Sequence, residues 1–376
     1  MDIKRTIPII LDENALVSAT VTEVTRYQNA ISGICFNAGN PLKALELHRA
    51  AYHAVPTRLK SQMHCSAIRA TAATYATLRS KGRPITKPVR FRRPSALFLS
   101  GKDFTFKPDS IVSITTLSGR QKVGWRIPAH FLADFESAKS VDSMRISSNG
   151  AHLCITLEVP EPVGAVPVGV DLGVNNALVA STNSDTLFVN GKSLAVRNTK
   201  LRKTRSRLKS KLSGKKAQHS DTRSVRRVLQ RLSRTHHNRN LTFCRETAAQ
   251  LCKWVPPNAV IVLEDLSLKP RTKKEHIRKG TRRKLNQWFF SMMAAAIQQR
   301  AERHGIAVTK VNPAFTSQLH HICGLMGVRT GHKFFCPHCN VVEHADTNAS
   351  QNIRLRFTVL RGSGPLSAGP EALASA

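Results

Sequence analysis

VPVGVDLGVNNALVAST (166–182) is the stretch whose reading decides the fold. It reads as two apolar strands around a tight turn, and the first carries an acid, Asp171. TLFVN (186–190) follows as a third strand after another short turn. NAVIVLEDL (258–266) is a continuous apolar run ending in two acids, which predicts a buried fourth strand. GIAVTKVN (305–312) predicts a fifth. Between these runs lie a long basic stretch, 199–252, mostly helical, and an amphipathic helix over 286–304. ADTNASQNIRLRF (345–357) reads as a last helix with an acid or Thr near its N-cap. This order describes a mixed α/β sheet with helices on both faces. In such a sheet strands one and four are neighbours, and the last helix packs beside them.

The N-terminal half has a different pattern. Residues 1–10 predict one strand, and 14–80 carry Ala, Leu and Gln at helical spacing, enough for two to four helices. KGRPITKPVRFRRP (81–94) is basic and Pro-rich and breaks the pattern. From 95 to 160 short alternating runs such as FTFK, IVSITT and HLCITLEV predict a small antiparallel barrel or sandwich. No internal repeat is evident. The fold class is therefore α+β and multi-domain.

The charge is the chain's most unusual bulk property. Its 376 residues hold 58 Lys+Arg against 23 Asp+Glu, a formal net charge of +35. Such a charge repels itself unless a polyanion is bound, so nucleic acid is the expected partner. No run of about 18 apolar residues exists for a membrane span. The start, MDIKRTIPIILDEN, has too short an apolar stretch for a secretory signal. A cytoplasmic protein is expected, in which the eight Cys serve as thiols or metal ligands.

Three carboxylates stand where chemistry is expected: Asp171 in the first strand of the sheet, Glu264 at the end of the fourth, and Asp346 opening the last helix. The topology lets them converge although 175 positions separate the first from the last. A carboxylate at the end of an apolar strand needs a partner, because burying it alone is costly. A pair of hard divalent cations, Mg(II) about 4 Å apart, would be such a partner and would suit hydrolysis of a phosphodiester. Asp171 would bridge them, with Glu264 and Asp346 each holding one. Asp265, the next residue along, is expected to face away. Caps, turns and salt bridges account for most single acids, so the weight lies on the three together.

His320-x2-Cys323-x12-Cys336-x2-Cys339 has the ligand spacing of a zinc ribbon. His321, adjacent to His320, competes for the fourth position, and His338 lies inside the second knuckle. Cys35, Cys65, Cys154, Cys244 and Cys252 sit on apolar stretches and read as core residues. Residues 200–239 hold 15 Lys/Arg and one acid, Asp221, which favours a phosphate-tracking surface over a solvated helix face. Further basic runs lie at 269–284, just after Glu264, and at 79–93. Phe91 and Trp125 are placed to stack on bases, whereas Trp288 sits on the amphipathic helix and reads as core.

VGVDLGVNNALVAST, VIVLEDLSL, the PAFTSQ-to-ribbon segment and ADTNASQNI, in that order, resemble the transposon-encoded TnpB proteins and the type V CRISPR effectors, over about residues 166–357. The resemblance implies an RNA-guided, Mg-dependent DNA endonuclease with a single RuvC-like site of RNase H fold. Its acidic triad falls on Asp171, Glu264 and Asp346, and its zinc ligands on His320, Cys323, Cys336 and Cys339. Implied domains are a wedge-like β-barrel at 1–13 and 81–163, a helical recognition insert at 14–80, and a nuclease domain at 164–315 and 343–360. The ribbon would span 316–342 and a disordered tail 361–376. Implied partners are a guide RNA and target double-stranded DNA opened as an R-loop beside a short adjacent motif, in a prokaryotic cytoplasm or nucleoid, with a homodimer left open. Two other readings remain: an RNA-guided binder that does not cut efficiently, and an unguided transposase or resolvase of similar fold. The chain departs from the family at His320, where Cys is usual, and in GHKFF (331–335), where an Arg is common and Lys333 or His332 stands instead.

Overall fold

The computed structural model describes residues 1–38, 42–82, 84–162, 164–217, 221–265 and 289–362. Trp288, the basic run 269–284 and the tail from 363 onward lie outside the described residues. Two compact units divide the chain, Met1–Glu158 and Val159–Ala376. Among the described residues no helix is long and apolar enough to cross a membrane.

The first unit opens with β1 (Asp2–Leu11), followed by α1 (Ala15–Asn37), α2 (Ala44–Ala51) and α3 (Ser61–Ser80). Asn14 starts α1 because its Oδ1 accepts from the backbone N–H of Leu16 and Val17, at 3.0 and 3.1 Å. Val17, Val21, Val24, Tyr27 and Ile31 then form the buried stripe that the three-and-four spacing predicts. The unit continues as β2 (Ser95–Leu99), β3 (Phe104–Lys107), β4 (Ile111–Thr116), β5 (Gly119–Arg126), the short α4 (Leu132–Glu136), β6 (Ala138–Ser147) and β7 (Gly150–Glu158). These strands form one antiparallel sheet in the order β2-β6-β7-β1-β5-β4-β3. β1 joins its halves: residues 2–9 pair with β7, and Ile10 and Leu11 with β5. Trp125 packs against Phe106 and Phe135, with ring centroids at 4.6 and 5.3 Å. Its ring is thus engaged within the protein.

The second unit contains β8 (Val166–Asp171), β9 (Asn176–Ser181), β10 (Thr186–Asn190), α5 (Lys192–Ala217), α6 (Arg223–Trp254) and β11 (Ala259–Glu264). After the undescribed stretch come α7 (Phe290–Arg303), β12 (Ala307–Val311), the ribbon strands β13 (Val328–Thr330), β14 (Lys333–Cys336) and β15 (Val341–His344), and α8 (Ala345–Gly362). Five strands form a sheet in the order β10-β9-β8-β11-β12. The first three are antiparallel, while β8, β11 and β12 run parallel. β11 is buried along its length, as its unbroken apolar run requires.

Side chains alternate between the two faces of this sheet. Val168, Val170, Ile261 and Leu263 share one core with Cys244, Ala248 and Leu251 of α6 and Met293 and Ile297 of α7. Val260 and Val262 share the other with Ile353 of α8. Gly169 permits that second contact. A Cβ there would lie 2.0 Å from the Ser350 carbonyl oxygen and 2.5 Å from the Arg354 nitrogen. The helix backbone therefore rests directly on β8. All eight Cys are free thiols. Burial pushes Cys244 up to about 12 and Cys252 to about 11, so both remain apolar, protonated core residues.

Candidate active site and metal centre

Asp171 is the last residue of β8 and Glu264 the last of β11. The parallel register sets Val170 against Leu263, so the two acids leave the same end of neighbouring strands. Asp346 is the second residue of α8, the helix that Gly169 admits onto β8. All three line one cavity of about 650 Å³, at the end of the sheet where β8 has an antiparallel neighbour on one side and a parallel one on the other. Asp265 and Lys333 do not line it.

Protein groups orient Glu264 and Asp346. Asp346 accepts Arg329 Nη2 on Oδ1 at 2.6 Å and Asn176 Nδ2 on Oδ2 at 2.9 Å. Glu264 Oε1 accepts the buried Thr316 hydroxyl at 2.6 Å. The loop that carries Thr316 is pinned from α8. Arg356 donates to the carbonyls of Asn312 and Ala314, and Asn352 Nδ2 to that of Thr316 at 2.9 Å. Burial pulls the Arg356 guanidinium below its ordinary range, and the charge of Glu264 partly restores it. Phe315, on the cavity rim, is held at φ +58°, a conformation that costs a bulky residue energy.

Of the two residues named in GHKFF, His332 lines the cavity. Several other cavity residues were not legible in the sequence: Arg329 comes from the ribbon, Lys192 from the start of α5, and Asn176 from β9. Arg329 on β13, just before GHKFF, donates directly to Asp346. In a chain with 58 Lys+Arg, no single arginine advertises itself. The polar run NASQN (348–352) is explained by its bonds. Asn348 accepts from His321 N at 2.8 Å, Asn348 and Asn352 donate to the Leu319 carbonyl, and Gln351 donates to that of Thr182.

The ribbon holds the tighter constellation. The ligand atoms of His320, Cys323, Cys336 and Cys339 all lie within 4.8 Å of one another. His320 Nδ1 is 3.3 Å from Cys323 Sγ, which is 3.6 Å from Cys336 Sγ. A tetrahedral zinc with Zn–S bonds of about 2.3 Å would hold sulfurs about 3.8 Å apart, so the donor set and its spacing fit that ion. The imidazole of His320 is fully buried, and its Nε2 faces Glu343 Oε1 at 3.5 Å. The contact falls outside hydrogen-bond geometry, so the carboxylate acts on the ring by its charge, with Nδ1 toward the thiols. His321 turns instead to Glu343 and Asn348, at 3.3 and 3.2 Å. It belongs to a second group, His320–His321–Glu343, outside the four-ligand set. Cys339 is pushed up to about 11, first by its bond to Cys323. In Cys336 burial raises the thiol, but the Cys339 amide and the Cys323 thiol outweigh it and leave it below its ordinary value.

Residues 152–273 match the family model of probable transposases named OrfB_IS605, and residues 290–353 match the TNB domain of Cas12f1-like proteins. Parts of the chain are thus similar to TnpB-like and Cas12f1-like proteins. A TnpB-like protein of Methanocaldococcus jannaschii, MJ0751, is 36% identical over 98 residues, or 26% of this chain. That match spans about a third, 34%, of the curated relative's length. CasPhi-2 (Cas12j) bound to crRNA and phosphorothioate DNA superposes with a TM-score of 0.51 and 12% identity, covering 97% of this chain and 92% of that one. CasPhi-2 bound to crRNA gives the same score and identity over 97% and 99%. These likenesses show that the chain shares the mixed α/β, multi-domain fold of CasPhi-2.

Proposed function

We propose that the chain is an RNA-guided, divalent-metal-dependent DNA endonuclease with one catalytic site at Asp171, Glu264 and Asp346. The observation that carries this is their meeting at one cavity from three elements far apart in sequence. Each carboxylate has about four lone-pair sites, so one can keep its protein partner and still ligate an ion. The all-oxygen donor set fits two hard cations such as Mg(II). When bound, they supply Lewis acidity to the scissile phosphate and lower the pKa of the attacking water.

The rest is the chain's own. Thr316 holds Glu264 in one orientation, and Asn176 does the same for Asp346. Arg329 and Lys192 offer positive charge to a phosphate that enters the cavity. The products carry a 5′-phosphate and a 3′-hydroxyl. Zinc on His320, Cys323, Cys336 and Cys339 is structural, and it secures the module that bears Arg329. In the first unit, the seven-stranded sheet serves as the wedge barrel and α1–α3 as the recognition insert, which together hold the guide scaffold and read the adjacent motif. Base pairing supplies the target sequence.

Copurified ribonucleoprotein tested on plasmids carrying the guide-matched site decides this. Cutting is expected to need Mg(II), to stop with EDTA, and to stop after RNase treatment. Asp171→Ala should lower cleavage on the order of 10³-fold or more while guided binding stays near wild type. Unchanged cleavage by Asp171→Ala refutes the site. Two rival readings each have a supporting observation. The Arg329–Asp346 contact favours a guided binder that cuts poorly, and cleavage-free but RNA-dependent DNA binding would establish it. The match to probable transposases favours an unguided enzyme, and site-specific cutting that survives RNase would establish that.

A further inference from the structure

A second polar cavity, of about 320 Å³, lies between α5 and α6. Arg202, Arg205 and Lys209 line it together with Asn198, Ser206 and His236. Positions 202, 205 and 209 are three and four apart, so α5 presents them on one face. No acidic residue lines this cavity. Arg205 Nε is buried there without a hydrogen-bond partner among the described residues, and so is Oδ1 of Asn198, a residue 4% exposed. Buried polar groups ordinarily find partners; Arg205 Nε is a donor that an anion can satisfy, whereas Asn198 Oδ1, an acceptor, is not. A short chain of bonds holds the far wall. Asn198 Nδ2 donates to Asn240 Oδ1 at 3.1 Å, and Asn240 Nδ2 lies 3.3 Å from His236 Nε2. This leaves His236 Nδ1 as the ring's other polar atom. Burial, then the charges of Arg205 and Arg239, hold the imidazole below its ordinary value, so the lining's positive charge resides on α5.

We propose that this cavity binds one backbone phosphate of a nucleic-acid strand. Arg202, Arg205 and Lys209 supply the charge, and the Ser206 hydroxyl and the His236 ring supply neutral hydrogen bonds. A phosphodiester carries one negative charge and oxygens that accept from several donors at once, which is what three uncompensated cations on one concave face recognise. Nucleic acid is the abundant source of that group for a chain of net charge +35. The proposal rests on the nucleic-acid-binding part of the proposed function and is independent of cleavage. RNA and DNA backbones share the phosphodiester, so the test carries an arm for each.

The full chain bearing Asp171→Ala, which removes cutting as a complication, is titrated into a short fluorescein-labelled RNA and into the DNA strand of the same sequence. Anisotropy gives the affinity across a series of KCl concentrations. Arg202→Gln/Arg205→Gln/Lys209→Gln is compared with Lys203→Gln/Arg207→Gln/Lys211→Gln, whose side chains are exposed on the same helix outside the cavity. Both variants lose the same charge. The cavity variant is expected to bind about 10-fold more weakly than the control, and its log–log salt slope to be flatter than the control's by about 0.7, the share of one single-strand phosphate. Such a loss on RNA assigns the site to a guide, on DNA to a target strand, and on both to either backbone. Equal losses in the two variants overturn the proposal and leave a diffuse basic face. If the triple variant melts early, Arg205→Lys replaces it. That change keeps the charge and removes the planar fork, so a several-fold loss supports the site and wild-type affinity overturns it. A wild-type chain that binds neither strand refutes the nucleic-acid reading above, and this proposal with it.

Discussion

The ribbon cluster and the carboxylate cavity are two ways of assembling charge-bearing ligands. In the ribbon, four ligands drawn from 20 consecutive positions (320–339) close within 4.8 Å of one another. In the cavity, three acids, the first and last 175 positions apart, meet around 650 Å³, and their oxygens form no such tight group. The first is spaced tightly enough to close around one ion. The second is open, with Arg329 resting on Asp346 and Thr316 on Glu264. A structural ion asks for closure, while a substrate-bearing site must leave room.

The largest expected effect breaks the separation between the two. Stripping zinc with a chelator, or replacing Cys336 with Ser, should unfold the ribbon and remove Arg329 and His332 from the cavity. Cleavage should then fall about 100-fold or more with all three acids intact, the scale of losing a preorganised charge-stabilising group. Full activity in protein shown to be zinc-free by metal analysis would mean the ribbon is independent of the site. Next in size is Glu343→Gln, which should weaken zinc about 10- to 100-fold in a chelator competition by loosening His320. An unchanged zinc affinity would show that Glu343 does not fix the ring.

What could be read beforehand follows the same division. The clustering of His320, Cys323, Cys336 and Cys339 was legible because spacing along the chain is itself the geometry. The convergence of Asp171, Glu264 and Asp346 was legible only through the order of the strands, since each acid alone reads as a cap or a turn. Arg329 was not legible, because what gives it meaning is an oxygen of Asp346, 17 positions away on another element. The α5–α6 cavity was legible as an acid-poor charge run, but not as a concavity. The NASQN run looked like polar helix surface and is instead a set of bonds to loop carbonyls. Hydrophobic period identifies faces, and it is silent about side chains that bond the backbone of another segment.

Two smaller effects sharpen the contrast from the cavity side. Gly169→Ala should cost about 1–3 kcal/mol of stability, the usual penalty of overpacking, because the new methyl meets the α8 backbone. Cleavage should fall as well, since Asp346 moves with the helix. A denaturant midpoint and an activity that both match wild type would show that α8 has slack. The smallest shift belongs to Arg329→Ala. It removes a cation from Asp346, so the Mn(II) concentration for half-saturation, read by calorimetry without nucleic acid, should fall about 5-fold, as for loss of a part-buried like charge worth about 1 kcal/mol. Weaker metal binding instead would show that Arg329 organises the carboxylate more than it competes for it.

Gly169 also bears on how any mutational map of this molecule is to be interpreted. The residue has no side chain to offer, yet the distance between two proposed ligands is set by the contact made across it. A selection that scores only loss of cutting would rank this position beside the acids themselves. Thermal melting would tell the two apart, because Asp171→Ala leaves the contact between Gly169 and α8 in place. At position 169 the missing atom is the contribution, and any alphabet of functional groups overlooks it.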